Sequence, residues 1–181
     1  MAHLRLKNLR FGSAGTGDRM VEAMGLSHGM SVLDCTLGFG ADAIVASFAV
    51  GPEGKVTGIE SQPLIETVVG YGLAQEAMRG IETVCADAFS YLKQQEDDSV
   101  DVVYFDPMFR HPLLESRSLS PLRTVANHAP VSPAMIEEAC RVARRRVVFK
   151  ENARSLEFER LGFTQIMGGR YSKVHYGVRI L

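Results

Sequence analysis

Four consecutive residues, Asp106-Pro107-Met108-Phe109, combine groups that can hold a planar amine. An amine attached to an aromatic ring is a poor nucleophile, because its lone pair is delocalised into the ring. The Asp106 carboxylate and the Pro107 carbonyl can accept the two amine hydrogens and favour a pyramidal nitrogen. The Phe109 ring can stack on the ring that carries the amine. Such a site contributes positioning and electrostatics rather than a strong general base.

A second stretch, residues 32–43 (VLDCTLGFGADA), has the composition of a cofactor-binding turn. Asp34 ends an apolar run, and Gly38 and Gly40 then lead into a helix-like segment. Glycines permit a tight turn and let a ligand approach the backbone closely. Glu60 ends the next apolar run, where a carboxylate can accept both ribose hydroxyls of an adenosine. Asp87 follows the third run and can receive the adenine amino group.

Two cofactors are compatible with this turn. The glycine spacing also satisfies the G-x-G-x-x-G/A fingerprint of NAD sites, and Glu60 lies near the distance expected for NAD ribose binding. Asp34 favours S-adenosylmethionine (SAM), because a carboxylate before the glycines suits the SAM ammonium group and repels a pyrophosphate. An NAD-dependent oxidoreductase stays an alternative. It would need a catalytic proton donor such as Tyr-x-x-x-Lys after the fourth strand, and none appears there.

Short apolar runs alternate with helix-like segments between residues 30 and 150, as expected for parallel strands that are buried on both faces. The predicted strands are 30–35, 55–60, 81–85, 100–105 and 145–150, and the predicted intervening helices are 40–49, 63–79, 87–95 and 132–143. A helix over 155–161 follows, with Gly162 as its C-cap. Two further strands, 163–167 and 173–181, predict an antiparallel hairpin.

These elements predict an α/β, Rossmann-like class I methyltransferase fold, with a seven-stranded, mostly parallel sheet and an antiparallel C-terminal hairpin. The first strand should be central, and the cofactor should lie at the carboxyl ends of the strands. Residues 1–29 are expected to form an N-terminal segment with one helix, at 18–26. Residues 30–181 are expected to form the SAM-dependent methyltransferase domain.

In this arrangement Asp106 ends the fourth strand, and residues 106–109 resemble the (Asp/Asn/Ser)-Pro-Pro-(Tyr/Phe) motif of amino-methyltransferases, with Met108 in place of the second proline. The connection 110–131 has no clear element and carries Arg110 and His111. Long connections of this kind are usually functional. Arg110, His111 and Lys150, the last residue of the predicted fifth strand, are candidate substrate contacts. The run 144–146 (Arg-Arg-Arg) could bind phosphates, although cations are also favoured at a helix C-terminus.

Charge is distributed unevenly along the chain. Residues 1–109 contain seven Lys/Arg against fifteen Asp/Glu, a net of −8, and residues 110–181 contain thirteen against six, a net of +7. A basic C-terminal half suits a polyanion such as RNA. The three cysteines show no CxxC spacing, so no metal site is predicted. No apolar run approaches a membrane span or a secretory signal, so we expect a cytoplasmic protein.

The stretches LDCTLGFGADA, CADAF, YFDPMFRH and RRVVFK together resemble the RsmJ-type family of small-subunit ribosomal RNA guanine-N2 methyltransferases and its uncharacterised Gram-positive relatives. The resemblance covers about residues 18–180, and DPMF followed by His111 is its most specific element. It implies SAM contacts at Ala41, Asp42, Glu60, Ser61, Asp87, Ala88 and Asp106. Family members usually carry a longer N-terminal region, and basic residues of some relatives are replaced here by Ala41 and Ser61.

The functional prediction is therefore a SAM-dependent N-methyltransferase that acts on an exocyclic base amine, with guanine N2 of small-subunit ribosomal RNA as the substrate and RNA as the partner. A DNA base, a protein or a small molecule is an alternative carrier of the amine, because the motif recognises the amine itself. DNA would require base flipping, whereas RNA loops expose their bases. A SAM-binding protein without activity is a further alternative. The oligomeric state is left open.

Overall fold

Strands and helices alternate along the chain in the computed structural model, which describes residues 18–75, 80–107 and 130–181. The strands are β1 (Ser31–Asp34), β2 (Lys55–Glu60), β3 (Ile81–Cys85), β4 (Val100–Phe105), β5 (Ala143–Asn152), β6 (Gln165–Met167) and β7 (Val174–Ile180). The helices in these ranges are α1 (Arg19–Met24), α2 (Ala41–Val50), α3 (Pro63–Gln75), α4 (Ala88–Leu92), α5 (Pro133–Val142) and α6 (Glu157–Arg160).

The strands form one sheet in the order β3-β2-β1-β4-β5-β7-β6. Strands β1 to β5 pair in parallel, whereas β7 is antiparallel to both β5 and β6. The strand order reverses beside β1, between β2 and β4, and this is the point at which open α/β sheets bind ligands outside the carboxyl ends of their strands. The predicted fold class, the interior position of the first strand and the C-terminal hairpin are confirmed.

Helices cover both faces of the sheet, because successive strand residues point to opposite sides. Val32, Val56 and Val148 are buried in a core with α1, α2 and α3. Leu33 and Phe149 belong to the opposite core, which includes residues of α4, α5 and α6. The strands therefore read as mostly apolar runs, with charged side chains chiefly at the strand ends.

The predicted helices 18–26 and 155–161 are shorter in the structure, at Arg19–Met24 and Glu157–Arg160, and two other helix ends differ for clear reasons. The helix predicted over 87–95 is helical over Ala88–Leu92; Gln94 and Gln95 then donate to the carbonyls three residues before them, which tightens the end into a turn. The helix predicted to reach 143 ends at Val142, because Ala143 already pairs with Val100 as the first residue of β5. Residues 76–79 of the predicted helix 63–79 lie outside the described residues.

Helix α1, predicted within the N-terminal segment, is capped by the Asp18 side chain, which accepts from the Met20 N–H at 2.9 Å. Its Met20, Ala23 and Met24 side chains are buried in the same core as α2 and α3. In the part of the chain that the structure describes, no helix is long and apolar enough to cross a membrane.

Candidate active site

The residues predicted to do chemistry lie at the carboxyl ends of β1, β2, β3 and β4. Asp34 is the last residue of β1 and pairs in register with Gly58 of β2 and Tyr104 of β4. Glu60 ends β2, and Asp106 directly follows β4. Because these strands are parallel neighbours, their ends meet at one edge of the sheet, as the sequence prediction required.

The turn after β1 has the geometry that its glycines allow. Gly38 and Gly40 adopt φ values of +49° and +71°, in the left-handed region that L side chains rarely adopt. The Leu37 N–H donates to the Ile59 carbonyl at 3.0 Å, which holds the turn against β2. Gly40 is the N-cap of α2 and makes no side-chain cap hydrogen bond, and Asp42 lies in the first turn of the helix.

Asp34 is almost completely buried, with 3% of its surface exposed. Its Oδ1 accepts from the Thr36 N–H at 2.9 Å and from the Thr36 hydroxyl at 3.3 Å. Burial raises the pKa of Asp34 to about 7; the Thr36 N–H opposes the rise, and the carboxylates of Asp42 and Asp106 add to it. The site therefore contains a carboxylate whose ionisation needs a positive partner.

Glu60 is also buried and supports the glycine turn. Its Oε2 accepts from the Gly38 N–H at 3.2 Å, and its Oε1 accepts from the Gln62 N–H at 2.9 Å and from the Ser61 hydroxyl at 3.4 Å. Asp87 is exposed and caps α4 by accepting from the Ser90 N–H at 2.9 Å. Ala41 and Ala88, the first residues of α2 and α4, are partly exposed beside these carboxylates.

Lys150 joins two of the predicted site residues. Its Nζ lies 2.7 Å from Oδ2 of Asp42 and 2.7 Å from Oδ2 of Asp106. The Tyr104 hydroxyl donates to the same oxygen of Asp42 at 2.8 Å. The Lys150 side chain is only 14% exposed, so this is a buried ionic network and not a surface pair.

Ionisation within this network follows from burial and from Lys150. For Asp42, burial alone raises the pKa, but the Lys150 charge and hydrogen bonds outweigh it and lower the pKa below the usual value. For Asp106, burial dominates and raises the pKa to about 7, against the opposing Lys150 charge and with repulsion from Asp42. Burial lowers the pKa of Lys150, but Asp106 and Asp42 outweigh that effect and raise it above the usual value.

Three residues near the candidate site were not predicted from the sequence. The Thr36 hydroxyl accepts from the Asp106 N–H at 2.6 Å and contacts Asp34, so it ties the end of β4 to that of β1. Tyr104 and Tyr176 lie in strands; Tyr104 is fully buried and contacts Asp42, and Tyr176 is opposite Lys150 in the register of β5 and β7. The only sequence signal for Tyr104 is a hydroxyl inside an otherwise apolar strand.

Asp106 and Pro107 are partly exposed at the end of β4. Met108, Phe109, Arg110 and His111, together with most of the 110–131 connection, lie outside the described residues, so their predicted roles stay predictions. Lys150, a candidate substrate contact, pairs with the Asp42 and Asp106 carboxylates, and its contact with substrate stays a prediction.

The arginine run 144–146 lies at the amino end of β5, away from the edge that carries Asp106. Arg144 donates to the carbonyls of Asp98 and Ser99, and Arg145 pairs with Asp101 at 3.3 Å. Arg146 donates to the Ala23 carbonyl at 2.8 Å, at the end of α1. These arginines join β5 to the turn before β4, to β4 itself and to α1. The phosphate-binding role predicted for this run stays a prediction.

This sheet order, with a glycine turn after β1 and acidic residues at the strand ends, defines the class I SAM-dependent methyltransferases. A family model described as "Putative SAM-dependent methyltransferase" matches residues 3–161, and the chain belongs to this family. The NAD-dependent oxidoreductase alternative is thereby excluded.

Two kinds of relative are similar in sequence. The uncharacterized protein YpiP of Bacillus subtilis is 45% identical over 173 residues, which cover 91% of this chain and 67% of YpiP. Ribosomal RNA small subunit methyltransferase J of Pseudomonas fluorescens is 31% identical over 162 residues, which cover 82% of this chain and 59% of that protein. The resemblance to the RsmJ-type family and its relatives is confirmed. The chain spans only 59% to 67% of the length of these relatives.

Solved structures share the fold. A SAM-dependent methyltransferase from Aquifex aeolicus has a TM-score of 0.62 at 17% identity, and covers 88% of this chain and 86% of its own. A SAM-dependent O-methyltransferase from Thermotoga maritima has a TM-score of 0.63 at 11% identity, with coverages of 99% and 71%. At these identities the likeness concerns the fold alone.

SAM is the cofactor, and the groups at this edge of the sheet fit it chemically. SAM carries a sulfonium and an ammonium, and the edge has the buried or partly buried carboxylates of Asp34, Glu60 and Asp106. Gly38 adds open space, since a Cβ there would meet only the Thr36 carbonyl, at 3.8 Å. Excess negative charge next to an open turn suits a cation and opposes a pyrophosphate.

Proposed function

We propose that the protein transfers the SAM methyl group to an exocyclic amino group of a nucleic-acid base, with guanine N2 of small-subunit ribosomal RNA as the substrate. The observation that carries this proposal is the position of Asp106-Pro107. The pair follows β4 directly, beside the glycine turn, and Asp106 is held by Thr36 and Lys150. An anchored carboxylate next to a backbone carbonyl can accept two hydrogens from one amine.

In this proposal each carboxylate binds a different part of SAM. Asp34 and Asp42 bind the amino-acid end of SAM, Glu60 binds the ribose hydroxyls, and Asp87 binds the adenine amino group. The remaining contacts come from the backbone and small side chains of Gly38, Gly40, Ala41, Ser61 and Ala88. Glu60 already accepts from the Gly38 N–H, so ribose binding and the shape of the turn depend on the same carboxylate.

Bound SAM supplies a methyl group activated by its sulfonium charge. The Asp106 carboxylate and the Pro107 carbonyl accept the amine hydrogens, direct the nitrogen lone pair toward that methyl group, and stabilise positive charge as it develops on the nitrogen. Phe109 stacks on the base. Methylation makes the nitrogen acidic, so its proton can leave without a dedicated strong base. Because the pKa of Asp106 is raised to about 7, this carboxylate is mostly ionised only above neutrality.

Ribosomal RNA as the substrate is supported by the methyltransferase J relatives, whose name gives that substrate, and by the net charge of +7 on residues 110–181. Arg110 and His111 follow Phe109 directly in the chain, so we assign RNA contacts to this part of the connection. We infer a cytoplasmic location from this choice of substrate.

The test is transfer of labelled methyl from SAM to small ribosomal subunits and to naked ribosomal RNA, both from a strain that lacks the gene, followed by nucleoside analysis. We expect N2-methylguanosine with the wild-type protein. Asp106→Ala should lower incorporation at least about 100-fold, because one preorganised acceptor is typically worth that much. The same variant should weaken SAM binding in calorimetry only modestly.

Each failure of this test has a separate meaning. Incorporation into DNA or protein but not into ribosomal RNA would overturn the substrate and keep the amine chemistry. Incorporation that Asp106→Ala leaves at the wild-type rate would overturn the amine geometry. SAM binding without transfer to any amine would favour a SAM-binding protein without activity.

A further inference from the structure

Lys150 contacts two carboxylates to which the proposed function assigns different partners. Asp42 opens α2 directly after the glycine turn, on the cofactor side, and Asp106 follows β4, on the amine side. The Lys150 ammonium lies 2.7 Å from a carboxylate oxygen of each. Strand β5 thus supplies one cation that is shared by the cofactor half and the substrate half of the site.

A lysine at this position has a cost that calls for an explanation. Removing an ammonium from water costs several kcal/mol, and an ion pair repays this only with good geometry and further hydrogen bonds. Here the geometry is good: both contacts are short, and the Tyr104 hydroxyl donates to the same Asp42 oxygen that accepts from Lys150. Apolar side chains fill the strand on the N-terminal side of Lys150, at Val147, Val148 and Phe149, so Lys150 is a charged group that follows an apolar core segment.

We propose that Lys150 is a positioning residue for methyl transfer, which acts through Asp106 and does not touch the substrate. It occupies Oδ2 of Asp106, favours the ionised form of that carboxylate, and turns Oδ1 toward the amine. This inference rests on the proposed function, since it assigns the Lys150 contact a role in amine binding.

The other groups around Asp106 make it harder to ionise. The titratable groups that act on it or share its surroundings are Asp34 of β1, Asp42 of α2, Tyr104 of β4, Lys150 of β5 and Tyr176 of β7. Of these, only Lys150 lowers the pKa of Asp106. Burial raises it, and so do the charge of Asp42 and the hydrogen bond with Asp42, to about 7 with Lys150 in place. Loss of the Lys150 charge therefore raises this pKa further, and less of the carboxylate is ionised at neutral pH.

The activity test compares pH profiles of kcat/KM on small ribosomal subunits for the wild type, Lys150→Met and Lys150→Arg. The acid limb of kcat/KM reports a group of the free enzyme that must be ionised. For Lys150→Met we expect this limb to move up by about one pH unit or more and the rate at neutral pH to fall about 5-fold or more. Lys150→Arg should restore most of the wild-type profile, because it retains the charge.

A second readout needs neither cofactor nor turnover. Infrared absorption of protonated carboxyl groups is followed against pH in the unliganded protein, with Asp106→Asn used to assign the Asp106 band. The band should persist to higher pH in Lys150→Met and disappear at lower pH in Asp42→Asn, which removes a repelling carboxylate. Lys55→Met is the matched control, since Lys55 forms an exposed pair with Glu82 at 2.8 Å at the amino end of β2.

The outcomes separate this inference from the proposed function. If the wild type transfers no methyl group, the proposed function fails, while the infrared titration still measures the effect of Lys150 on Asp106. If Lys150→Met lowers the rate by the same factor at every pH and leaves the Asp106 band unmoved, Lys150 is a structural residue and the inference is overturned. Opposite shifts of the band in Lys150→Met and Asp42→Asn would support it.

Discussion

Two carboxyl groups of the candidate site, those of Asp34 and Asp106, are harder to ionise in the folded protein than in water. Asp34 is fully buried with Thr36 as its hydrogen-bond partner, and Asp106 shares Lys150 with Asp42. Burial raises the pKa of both Asp34 and Asp106 to about 7. Without a cofactor, ionisation of Asp34 therefore costs the folded state free energy that a bound cation can return.

The first prediction concerns Asp34 and the pH dependence of stability. Because its pKa is higher in the folded protein than in the unfolded chain, the folded state binds more protons between about pH 4 and 7, and the stability of the unliganded protein falls as pH rises through that window. Asp34→Asn preserves the acceptor for the Thr36 N–H and removes the ionisation. At pH 8 we expect this variant to be more stable than the wild type by about 2–4 kcal/mol, and at pH 5 by much less.

Thermal unfolding of the unliganded proteins across this pH range is the measurement. The same Asp34→Asn change should weaken SAM binding at pH 8, because the carboxylate assigned to the SAM ammonium is lost. A pH-independent difference in Tm between the two proteins would show that the Asp34 ionisation is not coupled to folding. The expected gain in stability with a loss of binding is the trade-off typical of functional sites.

At the scale of elements, the backbone of the turn between β1 and α2 must satisfy two geometric requirements. It must reverse toward α2, which requires left-handed residues, and it must pack closely against α3. Gly40 meets both, with φ of +71° and with its position against Val69 of α3. A Cβ at Gly40 would lie 3.3 Å from the Val69 Cγ1, which leaves little room for a side chain.

The second prediction uses two glycines of the same conformation. Gly40→Ala should cost about 1–2 kcal/mol in unfolding free energy, from left-handed strain and the tight Val69 contact, and should weaken SAM binding about 10-fold. Gly29→Ala is the control, because Gly29 has φ of +81° and a Cβ there meets nothing within 4 Å. It should cost about 1 kcal/mol and leave SAM binding unchanged. Denaturant titration and calorimetry measure the two effects, and equal SAM affinities in both variants would contradict the assigned role of the turn.

At the scale of the whole molecule, the basic residues of the C-terminal half do not all serve one purpose. Arg144, Arg145 and Arg146 contact carbonyls and Asp101 at the amino end of β5. The strand therefore separates two kinds of cation: the arginines at its amino end stabilise the fold, and Lys150 lies in the site near its carboxyl end. Phosphate contacts are instead expected from the 110–131 connection, which follows the proposed catalytic residues in the chain.

The third prediction compares the salt dependence of ribosomal RNA binding in two single variants. Arg110→Gln should reduce the slope of log K against log salt by about 0.7–0.9, the change expected for one lost phosphate contact. Arg144→Gln should leave the slope unchanged, and should destabilise the fold because Arg144 bonds the 98–99 carbonyls. A reduced salt slope in Arg144→Gln would contradict this prediction and would place the arginine run in the RNA-binding surface.

Much of this protein can be predicted from the sequence alone. Apolar runs separated by helical segments predict the parallel sheet, because strands buried on both faces leave polar residues only at their ends. For the same reason the candidate carboxylates Asp34, Glu60, Asp87 and Asp106 are visible in the sequence as acidic residues that directly follow apolar runs. Local chemistry also predicts the glycine turn and the C-terminal hairpin.

The partners of those residues are decided only by the tertiary structure. Asp42, Asp106 and Lys150 are separated by 44 to 108 positions in the chain, and no local pattern indicates that one ammonium contacts both carboxylates. Thr36 and Tyr104 likewise become site residues only because β1, β4 and β5 are neighbours in the sheet. The same is true of Arg144 to Arg146, whose sequence resembles a phosphate site but whose position is at the amino end of β5. Sequence reports which groups are present, but burial and neighbouring charge arise from packing, and these set the pKa and the role of each group.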